Sequence, residues 1–243
     1  MVEALVVVGL LVAVFVGLNI GGSSTGVAFG PAVGSGSLSK LWAAGLMTGF
    51  ALLGGWTVGR NVVETMGGQI VPQPEFTLAA SVAILFFVGL ALLVSNLFGV
   101  PASTSMTAVG AIAGLGVATG TIRWGVMGRI VSWWIVAPVI AFWVSAVIGR
   151  YFYPHLEARF ALEDPTSEGR STRELVGVVL VVAIGCYMAF SAGASNVANA
   201  IAPLYGNGIV SMNQGILLAA GAIGLGAFTI ARRTLDTVGN HLT

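Results

Sequence analysis

Charge is what this chain has least of. Asp, Glu, Lys and Arg together make up 8% of its 243 residues, against an apolar share of 56%. Soluble domains carry about a quarter charged residues, so a water-soluble globule is excluded. There is one cysteine, Cys186, inside an apolar run, which excludes an intrachain disulfide and a thiol metal site. The two histidines, His155 and His241, lie in a polar stretch and near the C-terminus, so no histidine-based metal or acid–base centre can form in the apolar body. No membrane-embedded base stands beside a serine, and no pair of acids lies within the apolar runs, so the chain is not expected to be an enzyme. With a net charge of +1 there is no electrostatic footprint for nucleic acid.

What is present is a series of long apolar runs: Leu5–Leu18, Phe76–Val94, Ile130–Ile148, Leu175–Phe190 and Ile216–Phe228. A spanning helix needs ~20 residues, which these runs supply with their flanks. The first run follows Met1-Val2-Glu3, without a basic region or a cleavage site, and reads as a retained helix. Breakers and runs predict spans near 3–20, 40–59, 76–98, 102–119 and 126–150, a polar connector at 151–172, then spans near 173–192 and 211–231. The expected organisation is a first transmembrane repeat (1–150), a cytoplasmic connector (151–172) and a partial second repeat (173–243) in an all-α, multi-pass protein of the cell membrane.

The repeat is explicit. Residues 21–71 and 193–243 align without a gap at an offset of 172, with 15 of 51 pairs identical, among them Gly21/Gly193, Ser23/Ser195, Pro31/Pro203, Gly36/Gly208, Ser39/Ser211 and Arg60/Arg232. A composition this biased matches itself at roughly one position in ten, or about five matches. Repeats of this kind in membrane chains mark transporters with a binding site between the halves. Five spans before the connector flip the second copy, which makes the repeat inverted. With the N-terminus outside, Lys40, Arg150, Arg159, Arg170, Arg173, Arg232 and Arg233 face the cytoplasm, and Arg60, Arg123 and Arg129 lie outside, in accord with the positive-inside rule. Residues 20–39 and 192–211, dense in Gly, Ser, Asn and Pro, are expected as re-entrant segments. The second copy stops where the first continues for three more spans, so a shortened chain or half of a split transporter is expected, with a homodimer or a partner chain supplying the missing spans.

Three polar groups carry candidate chemistry. Ser103, Thr104 and Ser105 open a helix after Pro101, where free N–H groups and the dipole suit an oxyanion; the competing reading is a plain N-cap. Ser23, Ser24 and Thr25 correspond through the repeat to Ser195 and Asn196, with Asn199 nearby, and could surround a tetrahedral anion or ligate a cation, or simply be turn residues. Glu64 and Asp236 are repeat partners and candidates for ion coupling, unless they are helix-end charges beside Arg60 and Arg232.

Gly193-Ala194-Ser195-Asn196-Val197-Ala198-Asn199-Ala200 resembles the signature Gly-Ala-Asn-Asp-Val-Ala-Asn-Ala of the PiT-type inorganic phosphate transporters. Pro101-Ala102-Ser103-Thr104-Ser105-Met106 is similar to that family's Pro-Val-Ser-Thr-Thr-His, and Glu64-Thr65 and Asp236-Thr237 match its acid–Thr pairs. The resemblance implies a secondary transporter moving phosphate with Na⁺ or H⁺, needing no cofactor beyond that coupling ion. It also implies that Ser23, Ser24, Thr25, Ser103, Thr104, Ser105, Ser195, Asn196 and Asn199 form the anion site, with Glu64, Asp236 and Asn196 serving the cation. The departures are chemical. Ser195-Asn196 and Ser23-Ser24 stand where the signature has Asn-Asp, Val27 replaces the later Asn of the first copy, and Met106 replaces the His. Losing both carboxylates weakens a hard-cation site, which raises proton coupling or a sulfate permease as alternatives to a Na⁺-driven phosphate carrier. A non-transporting membrane subunit that kept the fold is the remaining alternative.

Overall fold

The computed structural model describes residues 2–100, 102–153, 155 and 172–241. The connector expected at 151–172 lies largely outside them. The described residues are helical: α1 (Val2–Gly34), α2 (Lys40–Thr57), α3 (Gly59–Met66), α4 (Leu78–Leu97), α5 (Thr104–Thr119), α6 (Trp124–Val147, running into a π turn at Ile148–Phe152), α7 (Thr172–Gly206), α8 (Met212–Thr229) and α9 (Arg232–His241), with a 3₁₀ turn at Gln73–Glu75. Five of these are long and apolar enough to cross a membrane, or six if the bent pair α2–α3 counts as one span. The protein is a multi-pass membrane protein.

Two compact units are present, Met1–Arg123 with Val182–Thr243, and Trp124–Val181. The second holds α6 and the start of α7. None of the most apolar window of α6 is buried, so Trp133, Ile140 and Phe142 form an outward apolar surface of the kind lipid covers. The first unit carries the repeat and everything that follows.

In the first unit, α1 and α7 run antiparallel: Gly9 faces Leu204, Ser24 meets Asn196, and Gly185 faces Phe29. These two helices are the same element of the two copies, so the repeat is inverted. The packing partners exchange accordingly. A methyl on Gly21 would lie 2.0 Å from Ile223 O, and one on Gly193 would lie 2.2 Å from Ala51 O, the same contact moved by 172 positions. Gly226 against Leu18 O and Gly54 against Phe190 O, each at 1.9 Å, are another such pair, as are Gly34 on Gly239 and Gly206 on Gly67. A pseudo-two-fold axis therefore relates α1–α3 to α7–α9. Arg60 and Arg232 fall at opposite ends of the α2–α8 pair, Arg60 beside Asn213 and Arg232 beside Lys40.

The two turns between copies of the first and second helix are built alike. Gly36 (φ 69°) and Gly208 (φ 81°) close helix ends in the left-handed region, where a side chain is disfavoured. Ser39 and Ser211 then cap α2 and α8 by accepting from Trp42 N and Gln214 N.

The re-entrant expectation needs relocating. Residues 20–34 and 192–206 are uninterrupted helix, the C-terminal parts of α1 and α7, with Pro31 and Pro203 inside them. Their small residues are contact surface rather than breakers: Gly17, Gly21, Gly26, Gly30 and Gly34 lie against Ala222, Ile223, Thr234, Val238 and Gly239. Small residues at helical spacing let backbones approach, which is how apolar helices associate in lipid. The re-entrant character lies elsewhere. The α2–α3 pair bends by 64° at Val58. α5, expected to span at 102–119, has only 16 residues, about 24 Å at 1.5 Å per residue, short of a crossing. It forms a hairpin with α4. Asn96 near the end of α4 reaches Asn19, the tip turns beside Ser23, and α5 runs back until Gly116 meets Val71.

Candidate functional site

The hairpin tip, α1 and α7 converge on a pocket of about 250 Å³. From α1 come Ser23, Ser24, Val27 and Ala28; from the tip and the first turn of α5, Ala102 to Ser105; from α7, Met188, Ala192, Ser195 and Asn196. Each polar group is placed by a local rule. Ser103 is the N-cap of α5 and accepts from Met106 N at 3.4 Å, so the start of a 16-residue helix, with its unpaired N–H groups, opens into the pocket. Ser23, 2% exposed, accepts from Ala102 N at 3.3 Å and ties the tip to α1.

The polar floor is a closed network. Thr104 Oγ1 donates to Asn196 Oδ1, and Asn196 Nδ2 donates to Ser24 Oγ at 2.9 Å. Asn199 Nδ2 lies within reach of Asn196 Oδ1 and Ser105 Oγ, both at 3.1 Å, and of Thr104 Oγ1 at 3.3 Å. Ser24 and Asn196 are the same position in the two copies, 172 residues apart, so the two-fold axis passes through this hydrogen bond. Asn199 is 1% exposed, and its Oδ1 has no hydrogen-bond partner. Asn96 Oδ1 is the other buried side-chain oxygen without a partner among the described residues.

Of the residues singled out from sequence, Ser23, Ser24, Ser103, Thr104, Ser105, Ser195 and Asn196 line this one pocket. Ser195 lies on the wall but has Ala192 O at 3.2 Å within its own helix. Thr25 is fully buried and donates back to Gly21 O at 2.6 Å, so it faces its own helix rather than the pocket. Asn199 lies one turn beyond Asn196, beneath the lining. Glu64 and Asp236 are not brought to it. Glu64 is exposed on α3, and Asp236 pairs with Lys40 at 2.6 Å on the surface. No group of three metal-ligating side chains exists among the described residues.

Sequence reasoning passed over the apolar lining residues Ala28, Met188 and Ala192, which carry no polar signal, and noted Val27 only as a departure from the signature. It also passed over Asn19 and Asn96. Their amides join α1 to α4, Asn96 Nδ2 lying 2.8 Å from Asn19 O and 3.1 Å from Asn19 Oδ1. An amide within an expected span, as Asn19 is in 3–20 and Asn96 in 76–98, is signal enough to have flagged both.

The pocket is thus lined by hydroxyls, an amide and a helix start, has no ionisable side chain among the described residues that line it, and is large enough to admit a small oxyanion. Built on an inverted repeat of membrane helices, it defines the class as a polytopic membrane protein with a polar pocket on its internal two-fold. The chain belongs to the phosphate transporter family, whose model matches residues 20–243. It is similar to the sulfate permease CysP of Bacillus subtilis, 34% identical over 235 residues, covering 96% of this chain and 64% of that protein. The chain thus spans just under two thirds of that relative's length. In fold it is similar to a solved structure described as the sodium-dependent phosphate transporter, with a TM-score of 0.71 at 19% identity, covering 97% of this chain and 78% of the other.

Proposed function

We propose that the chain serves secondary transport of a tetrahedral oxyanion across the cell membrane, with sulfate preferred to phosphate. The observation that carries the preference is the pocket lining, which among the described residues contains no carboxylate and no other titratable side chain. Sulfate is fully deprotonated at neutral pH and asks only for donors. Hydrogen phosphate brings a hydroxyl of its own that needs an acceptor. The one amide oxygen on the lining, Asn196 Oδ1, already accepts from Thr104 and Asn199, and the unpaired Asn199 Oδ1 lies beneath the lining, 1% exposed. An unmatched donor costs ~1–3 kcal/mol, a preference of roughly 5- to 150-fold, moderated because serine oxygens can also accept. The likeness to a sulfate permease over nearly the whole chain supports the same reading. Phosphate, the substrate for which the family is described, is the second reading.

A coupling cation belongs to the proposal. A dianion entering a neutral pocket needs counter-charge, and the orphaned Asn199 Oδ1 is a buried oxygen suited to an electropositive guest. Reconstitution into proteoliposomes tests both parts, with radiolabelled sulfate or phosphate outside and an imposed Na⁺ or proton gradient. Sulfate uptake above phosphate, driven by one of the two gradients, is the expected result. Equal or greater phosphate uptake would overturn the preference, and no uptake of either anion would overturn transport.

A further inference from the structure

The pseudo-two-fold relates the two ends of the α2–α8 pair, and the chemistry at those ends differs. At one end Arg60 is held by two hydrogen bonds and a ring contact. Its Nη2 donates to Asn213 Oδ1 at 2.7 Å, its Nε donates to Trp56 O at 2.9 Å, and the guanidinium lies 4.8 Å from the Trp56 ring centre. At the other end the corresponding residues are Arg232, Leu41 and Phe228. Leucine in place of the asparagine removes the acceptor, and Arg232 makes no side-chain hydrogen bond or ion pair among the described residues. A second cation is added at the same place, since Lys40 stands where the other copy has Met212. One end of the pair has partners for its guanidinium; at its mate, no partner for the guanidinium beside the Lys40 ammonium is found among the described residues.

Those two cations border a cavity of about 290 Å³ whose walls are Leu41, Ala44, Phe228 and Leu235. Lys40 is steadied by Asp236 at 2.6 Å and keeps donors to spare. Lys40, Arg232 and Asp236 together leave one net positive charge. Beside them Leu41 and Trp42 are 71% and 69% exposed, an aliphatic and an indole ring at the level where interfacial side chains sit.

We propose that this cavity binds the headgroup of a singly charged anionic phospholipid, with phosphate on Lys40 and Arg232 and the glycerol and upper acyl chain along the apolar walls. Charge complementarity selects the headgroup, since basic pockets between helices on the cytoplasmic side are where anionic lipids are held. The apolar walls and exposed flank favour a lipid over a free inorganic anion, which would leave them wet. The site is separate from the Ser/Asn pocket and does not depend on what that pocket carries.

Native mass spectrometry of the detergent-purified chain, supplemented with phosphatidylglycerol or phosphatidylcholine, tests the assignment. Phosphatidylglycerol is expected to stay bound and phosphatidylcholine to dissociate. Lys40→Met and Arg232→Gln should each lower phosphatidylglycerol retention about fivefold, the factor typical of one basic residue at a membrane surface. Arg60→Gln, at the two-fold-related end, should leave retention unchanged. Both substituted residues are at the surface; if one variant aggregates, the other still decides. Equal retention of the two lipids, or retention unaffected by Lys40→Met and Arg232→Gln, overturns the proposal. So does complete displacement of phosphatidylglycerol by excess sodium sulfate, which would make the cavity a site for free oxyanion.

Discussion

Replacing Asn196 by aspartate adds one negative charge to the pocket while sparing its geometry. Asn196 is 4% exposed; its Oδ1 accepts from Thr104 Oγ1 and from Asn199 Nδ2 at 3.1 Å, and its Nδ2 donates to Ser24 Oγ at 2.9 Å. An aspartate keeps both accepted bonds, and the third survives by reversal, because the Ser24 hydroxyl can rotate to donate. A pocket of 250 Å³ has an equivalent radius of about 4 Å, so a bound oxyanion would be centred on the order of 5 Å from the new charge. Charges of −1 and −2 at that separation repel by about 1.7 kcal/mol at the dielectric of water and about 6.6 kcal/mol at an effective dielectric of 20. Even the weaker figure is a loss of about 17-fold. The assay is equilibrium binding of radiolabelled sulfate to purified protein in Na⁺-free buffer, so that no recruited cation masks the charge. A thermal melt on the same sample reports folding. Sulfate affinity within twofold of the parent, in a variant that melts normally, would show that the anion does not bind against Asn196.

Two further outcomes follow from the same geometry. Gly21→Ala places a methyl 2.0 Å from Ile223 O and 2.8 Å from Ala227 N, so α1 and α8 must part. Overpacking of this kind costs ~1–3 kcal/mol and should lower the melting temperature in scanning fluorimetry, whereas Gly45→Ala, with nothing within 4 Å, should leave it unchanged or raise it. The reverse order would refute the close approach. Glu64→Gln should change sulfate affinity by less than about twofold, because the exposed Glu64 contributes nothing to the pocket lining. A tenfold change in equilibrium binding would require the acid to reach the anion.

The sequence was legible where one residue has one job. The apolar segments appear as helices, and the inversion is visible in the antiparallel α1–α7 crossing, although the count of five spans that first suggested it included α5, which is too short to cross. Boundaries were harder. Glycine and serine signal a turn and a close helix contact with the same letters, and only the partner helix tells them apart. Gly36 and Gly208 are turns, with positive φ, whereas Gly21 and Gly193 are contacts inside continuous helix. Ser39/Ser211 are repeat-matched because both cap helices, and Ser23/Ser195 because both face the pocket. Matching alone could not sort one from the other. The acid pair shows the converse failure. Glu64 and Asp236 recur in register, yet Asp236 is spent on Lys40 at the surface.

The two-fold gives the signature departures their physical meaning. A residue on such an axis faces its own counterpart, so the pair must satisfy itself or share a guest. Ser24 and Asn196 occupy the position at which the resembling transporter signature carries aspartate. Two aspartates there would face each other at hydrogen-bond range, and like charges that close cannot both stay ionised without a proton or a cation between them. Serine opposite asparagine removes the requirement, because one donates and the other accepts across 2.9 Å. The pair closes without a guest, and the pocket above it is left neutral and rich in donors. The substitution that discards a charged cation seat on the axis is therefore the same one that leaves a site suited to a fully deprotonated oxyanion. On the proposed reading, a coupling cation would draw on neutral oxygens such as the buried Asn199 Oδ1, which lies off the axis.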